Sequence, residues 1–267
     1  MTAAPAPLPP LPTRKQERWR YADFDAVAKL WPAPPARLIS VPAGEAREDI
    51  LHVRAGGIHD IRVELGEGAR LALVLVVISP EYARVAIDAH LQARSSIDIG
   101  GIILGDGDAV QEIVTEIRHE DVAATSRQRV RIVLDDQATG SFLGQIAVPR
   151  IAQKTDADQS ARALVLKRTA TANLKPELEI FADDVQARHG CTVGELDKDA
   201  LFYLQSRGIP ESDAENLLTE AFVADAFTGL ADADARDALQ AEAVAWLEAR
   251  AARARNAKIG AEAGATP

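Results

Sequence analysis

Cysteine, methionine and aromatic residues are scarce in this chain of 267 residues, which has one Cys, one Met and 4% aromatics. A lone Cys191 forms no intramolecular disulfide, so nothing calls for an oxidising compartment and the expected location is cytoplasmic. Basic charge is also short. Thirty Lys and Arg against 40 Asp and Glu leave a net charge of -10, which argues against a nucleic-acid binder. The longest apolar run, Leu71 to Ile78, falls far below the roughly 20 residues of a membrane-spanning helix, so no membrane partner is expected. The first residues, MTAAPAPLPPLPTRKQER, lack the apolar centre of a secretory signal and read as an extended Pro-rich tail.

Most catalytic signatures are missing too. Without G-x-x-x-x-G-K-[ST] there is no phosphate cradle, so no nucleotide is expected on this chain and ATP chemistry falls to a partner. Gly105-x-Gly107 lacks the third glycine of a dinucleotide fingerprint and reads as a tight turn. Ser95, Ser96, Ser126 and Ser141 have no G-x-S-x-G setting. His52, His59 and His119 lack metal-ligand spacing and read as solvated or internally satisfied strand residues.

What is present falls into three segments. Residues 1–36 hold the tail and a short helical lead-in, where Trp19, Phe24, Val27 and Leu30 fall close to helical spacing before Pro32, Pro34 and Pro35. Residues 37–193 follow a period of two. Ile61, Val63 and Leu65 alternate with polar neighbours, as do Val85 and Ile87, Ile97 and Ile99, Val130, Ile132 and Leu134, Leu164 and Leu166, and Leu178 and Ile180. Half-buried strands give this alternation because successive side chains point to opposite faces. No helical segment separates the runs, which disfavours a doubly wound sheet and leaves a sandwich, a barrel or a β-helix. Few aromatics and abundant Ile, Val, Leu and Ala suit a solenoid, where like residues stack from coil to coil.

Residues 194–267 return to helical spacing. Asp197 is placed to cap a first helix and Gly208 to end it. Ser212-Asp-Ala-Glu215 matches a capping box opening a second. An Ala-rich third helix from Asp232 presents Leu239, Ala243, Trp246 and Leu247 on one side.

At the seam between the two periods stand His189 and Cys191, flanking Gly190. Two apart in a strand they share a face, and imidazole with thiolate suits a borderline metal. They supply only half a tetrahedral set, so other ligands would come from another chain. Taken alone, Cys191 reads more simply as a small buried apolar residue and His189 as a strand-end residue.

Several stretches together resemble the SufB/SufD family of iron-sulfur cluster assembly scaffolds, and SufD above all: AQKTDADQSARALVLKRTA (Ala152 to Ala170), KPELEIFADDVQARHG (Lys175 to Gly190), ALFYLQSRGI (Ala200 to Ile209), and AFVADAF closing the second helix. ERWRY (Glu17 to Tyr21) resembles the E-x-W-K-Y element near the start of many SufD chains. The resemblance implies a right-handed parallel β-helix between helical ends. It also implies pairing with a SufB-like subunit through the β-helix, a SufC-like ATPase on the carboxy-terminal helices, and a transient iron-sulfur cluster at the subunit interface. A homodimer is the other pairing in view.

His189 matches the histidine of the family's H-G-A-T motif, which makes it the candidate cluster or iron ligand; Cys191 stands where that motif has alanine, as an optional helper. SufD chains often carry a cysteine two residues before this histidine, where this chain has Ala187. The chain is also shorter than typical SufD chains, so coils or amino-terminal helices are expected to be missing. Phe202, Tyr203, Leu204, Arg207 and Phe222 combine apolar anchors with an arginine, as interface cores do, and are the candidate ATPase-binding residues; the alternative is that Phe202 and Phe222 only pack the helices together. A β-helix polysaccharide lyase or hydrolase would need grouped acids in a groove, and Asp183-Asp184 is only a loose pair.

Overall fold

The computed structural model describes residues 9–264; residues 1–8 of the Pro-rich tail and the last three residues lie outside them. Twelve strands form the body: β1 (Arg37–Val41), β2 (Ala46–Val53), β3 (Gly57–Leu65), β4 (Arg70–Val77), β5 (Ala83–Leu91), β6 (Ser96–Gly105), β7 (Val110–His119), β8 (Thr125–Leu134), β9 (Thr139–Val148), β10 (Asp156–Val165), β11 (Thr171–Ile180) and β12 (Gln186–Gly194). Odd-numbered strands make one sheet and even-numbered strands the other, and every pairing is parallel. The chain is therefore a β-solenoid, each coil giving one strand to each sheet.

Alternation acts through the register. Val63, Ala89, Ile117, Ile146 and Leu178 occupy successive rungs of the odd sheet, and Leu71, Ile97, Ser126, Ala157 and Ala187 those of the even sheet. These ladders face each other across one continuous core. The corner entering the even sheet repeats a left-handed residue at Gly44, Gly68, Arg94, Ala123 and Lys154. Each of these donates its amide to the corner of the next coil, as Arg94 does to the Val122 carbonyl at 3.0 Å.

The lead-in divides into a 3-10 turn (Glu17–Trp19) and α1 (Phe24–Leu30), capped by Asp23, whose carboxylate accepts from the amides of Asp25 and Ala26. Val27 is buried while Leu30 is exposed, so the packed face is narrower than the spacing predicts. This segment lies over the outer face of the odd sheet. There the Trp19 ring centroid is 3.9 Å from the Arg84 guanidinium carbon, and Arg84 pairs with Glu112 at 3.2 Å under it.

The opposite sheet carries α2 (Lys198–Ser206), α3 (Glu211–Ala224), a 3-10 turn (Asp225–Phe227) and α4 (Ala233–Gly264). Val74, Val76, Ile102, Leu104, Val133 and Leu164 point outward from the even sheet into a second core, with Val223, Phe227, Leu239, Ala243, Trp246 and Leu247. Strand β4 is apolar on both faces because both are buried. One expectation is inverted here: Leu164 faces these helices, and the solenoid interior beside it is filled by Ala161 and Ala163.

Asp197 caps α2 as expected, accepting from Asp199 and Ala200, and Gly208 (φ 89°) ends it. The Gly208 amide donates to Gln205 O and the Ile209 amide to Leu204 O, the paired bonds of a Schellman ending. The Ser212–Glu215 capping box is not formed. Pro210 precedes the first helical residue with φ -56° preset for the turn, so α3 starts earlier and Ser212 lies inside it, bonded to Asp213. No helix among the described residues is long and apolar enough to cross a membrane.

Candidate functional site

Among the described residues the last coil leaves two sheet edges without a strand beyond them, β11 and β12. An unpaired edge presents a row of free backbone donors and acceptors and is a template for pairing. What the edge displays depends on parity. Ala187 packs against the core, so His189, Cys191 and Val193, at the same parity, face the interior at its open end. They stand one rung beyond Gln159, Ala161 and Ala163. Arg188 faces outward and pairs with Asp158 at 3.3 Å.

His189 and Cys191 are thus brought onto one face, and both are exposed. The reading of Cys191 as a buried apolar residue is corrected: it is exposed, on the edge strand of its sheet, with no further coil among the described residues to cover it. Partial burial against the rung beneath still pushes its thiol up from the usual cysteine value, with a backbone hydrogen bond from Ala161 opposing it. That favours the protonated form and makes Cys191 a weaker ligand than a thiolate. Among the described residues no group of three His, Cys, Asp or Glu side chains is placed to hold a metal ion. The pair at β12 offers two donors, and a cluster held there needs ligands from outside the chain.

The five candidate partner residues separate. Phe202 is 72% and Tyr203 57% exposed on α2, with the Arg207 guanidinium carbon 5.2 Å from the Tyr203 ring centroid; Leu204 is half-buried. Leu217 on α3, 48% exposed, is a further exposed apolar residue. Phe222 belongs elsewhere. It packs on the second core with Arg131 over its ring, and closes a cleft of about 260 Å³ with Arg162, Leu164, Thr192, Leu196 and Leu218. Packing between helices therefore describes Phe222 and does not describe Phe202.

Sequence reasoning also missed the polar groups inside the coil. One even-sheet ladder runs Asp49, Leu73, Ile99, Gln128, Gln159, His189. An odd-sheet ladder runs Arg37, Ile61, Ile87, Thr115, Gly144, Pro176. Cross-contacts join them: Arg37 to Asp49 at 2.9 Å, Thr115 donating to Gln128 Oε1 at 2.6 Å, and Gly144 against the Gln159 side chain. The signal was available in the alternation, since Gln128 and Gln159 take the parity of Val130 and Ala161.

Comparison with known proteins places this geometry. The family described as "SUF system FeS cluster assembly, SufBD core domain" matches residues 46–222. SufD of Escherichia coli is 34% identical over 139 residues, 52% of this chain and 33% of that protein. SufD of Bacillus subtilis is 35% identical over 127 residues, 48% of this chain and 29% of that protein. A SufBD family iron-sulfur cluster assembly protein of Synechocystis is 43% identical over 158 residues, 59% of this chain and 35% of that protein. The aligned part thus spans about a third of each relative. With a family match across well over half of its length, this chain belongs to the SufB/SufD family of iron-sulfur cluster assembly proteins and is most like SufD.

Proposed function

We propose that this chain is a non-catalytic scaffold subunit of a SUF-type iron-sulfur assembly complex. It pairs through the open end of its β-helix with a SufB-like subunit, holds a SufC-like ATPase on its carboxy-terminal helices, and offers His189 to a nascent cluster at the joint. The cluster is cargo, passed on rather than kept. Residues 37–193 act as the pairing body and residues 194–267 as the ATPase-binding domain.

The difference between the two ends of the solenoid carries this reading. At the β1–β2 end, inward-pointing Arg37 and Arg47 converge on Asp49 at 2.9 and 2.7 Å. Inward charge is a standard protection of a sheet edge against pairing. At the β11–β12 end the inward positions are Leu174, Pro176, Leu178 and Ile180 opposite Ala187, His189, Cys191 and Val193, with no Asp, Glu, Lys or Arg among them. A second β-helix set end to end would cover these apolar groups, pair the edges, and supply the ligands that His189 and Cys191 lack.

On α2, exposed Phe202 and Tyr203 with Arg207 match the aromatic and arginine content of interface centres. Phe222 serves this surface from beneath, by seating α3 on the sheet.

The test is reconstitution. Co-expressed with SufB-like and SufC-like partners, the chain should purify as a defined three-component complex. His189→Ala should leave that complex intact and remove most of the cluster formed anaerobically from iron and sulfide, read by its visible absorption. Unchanged cluster yield would refute the ligand role, and failure to form any complex would refute the scaffold role.

A further inference from the structure

Buried polar side chains on the inward faces of the coil are, Gln159 apart, engaged through one of their polar atoms, while Gln111 Oε1, His119 Nδ1 and Gln128 Nε2 are left without partners among the described residues. Gln111 Nε2 donates to Ser79 O at 2.6 Å, Thr115 donates to Gln128, and His119 Nε2 lies 2.9 Å from Ser126 Oγ. Gln159 is different. It is fully buried, and among the described residues neither Oε1 nor Nε2 has a hydrogen-bond partner. A buried amide left without partners is destabilising relative to a satisfied one, where leucine would fill the same space without that cost. Room has also been made for it. A Cβ on Gly144 would overlap Nε2 of Gln159 and the end of the Phe142 ring, so the glycine across the coil is what lets this amide lie inside.

The register shows what lies next to it. Gln159 pairs with His189 on β12, and both take the inward parity. On the other side it pairs with Gln128, whose Oε1 is engaged by Thr115. Across the coil stand Gly144 and, one rung on, Pro176, which offers no amide hydrogen. Gln128 Nε2 is likewise without a partner, but as a donor it can answer only the carboxamide oxygen of Gln159; the imidazole one rung away is the neighbouring side chain in this ladder able to accept from Nε2.

We propose that Gln159 is a positioning residue for His189: its buried carboxamide hydrogen-bonds one imidazole nitrogen as the ring turns toward the coil, directing the other nitrogen out of the open end. This rests on the reading of His189 as a ligand. A metal-binding histidine is normally fixed through its second nitrogen, and that bond sets both tautomer and ring orientation. A carboxamide suits the task because it donates through nitrogen and accepts through oxygen, and it adds no charge beside a metal.

The experiment is heteronuclear NMR of the full chain carrying ¹⁵N-labelled histidine, with His189→Ala supplying the assignment. Gln159→Leu should fold with equal or higher thermal stability, while the His189 ring nitrogens shift and their tautomer ratio changes by about fivefold, the equivalent of one net hydrogen bond. Gln159→Met keeps the side-chain length and should give the same spectral change, guarding against a packing failure in the leucine variant. Identical His189 ring shifts and titration in wild type and both variants would overturn the proposal. So would a marked loss of stability in both, which would mean that the amide is satisfied within the core. These readouts need no cluster, so they stand apart from the reconstitution test of His189 itself.

Discussion

At the scale of single residues, the interior of this solenoid is tight and polar in one stripe, and both properties have measurable consequences. Gly144 has no room for a methyl group beside Gln159 and Phe142. Gly144→Ala should therefore lose about 1–3 kcal/mol by overpacking. Chemical denaturation should show Gln159→Ala recovering part of that loss in the double variant, because it removes one of the colliding groups. If the two effects simply add, the crowding is not between them. His119 makes a second case. Burial holds its imidazole down to about 4, against 6.5 for an ordinary histidine, with the backbone bond to Ala124 opposing weakly. The core accepts the neutral ring, whereas the unfolded chain takes up a proton near 6.5. The folded state therefore keeps its full stability above that pH and loses it as pH falls from 6.5 toward 4, by about 3 kcal/mol in all. Urea unfolding of wild type and His119→Gln at pH 7.5 and 4.5 should show the gap between them shrinking or reversing at the acid end. A gap independent of pH would mean that His119 does not titrate in this way.

At the scale of elements, the helices are held to the even sheet by close backbone contact as well as by apolar area. Gly100, on the outer face of β6, sits against the Ala226 carbonyl, which a Cβ would overlap. Backbone yields less readily than a side chain, so Gly100→Ala should cost about 3 kcal/mol and loosen the helices first. Limited proteolysis is expected to cut between Glu195 and Asp232 in this variant before the strands open, and simultaneous loss of strands and helices would refute that order. The same contact layer marks where sequence reading succeeds and fails. Ile61, Val63 and Leu65 were legible because one of their faces is core and the other is polar, so parity alone settles orientation. Leu164 and Leu166 misled because β10 meets apolar groups on both sides, and there alternation no longer distinguishes inside from outside. The start of α3 was set by Pro210 and not by the serine–glutamate spacing that resembles a cap. Asp197 and Gly208 were readable, since each acts within its own helix end through local geometry. His189 was singled out through the motif around it. Gln159 was not singled out, because its place beside His189 comes from a register between strands about thirty residues apart, which only the folded coil supplies.

At the scale of the whole molecule, a solenoid has two ends, and here they differ in kind. Ion pairs close one: Arg37, Arg47 and Asp49 occupy inward positions, where they would be left unpaired or desolvated by any docked strand. The other displays Leu178, at an inward position, and Val193, 52% exposed, on strands with free edges. If the open end is the pairing face, charge placed there should act as it does at the closed end. Leu178→Lys with Val193→Lys should leave folding nearly unchanged, since a lysine at the open end can reach water along its flexible stem. Docking a second β-helix would bury both ammonium groups without partners, at a cost of several kcal/mol, so association with a SufB-like partner should weaken by on the order of a hundredfold or more. Size-exclusion chromatography with light scattering on the co-expressed proteins measures this directly. A matching change at the other end, Arg37→Ala with Asp49→Ala, should leave the complex as it was. A lysine variant that still forms the complex at wild-type strength would show that partners meet the chain on another face, and the exposed aromatics of α2 would then be the first surface to test.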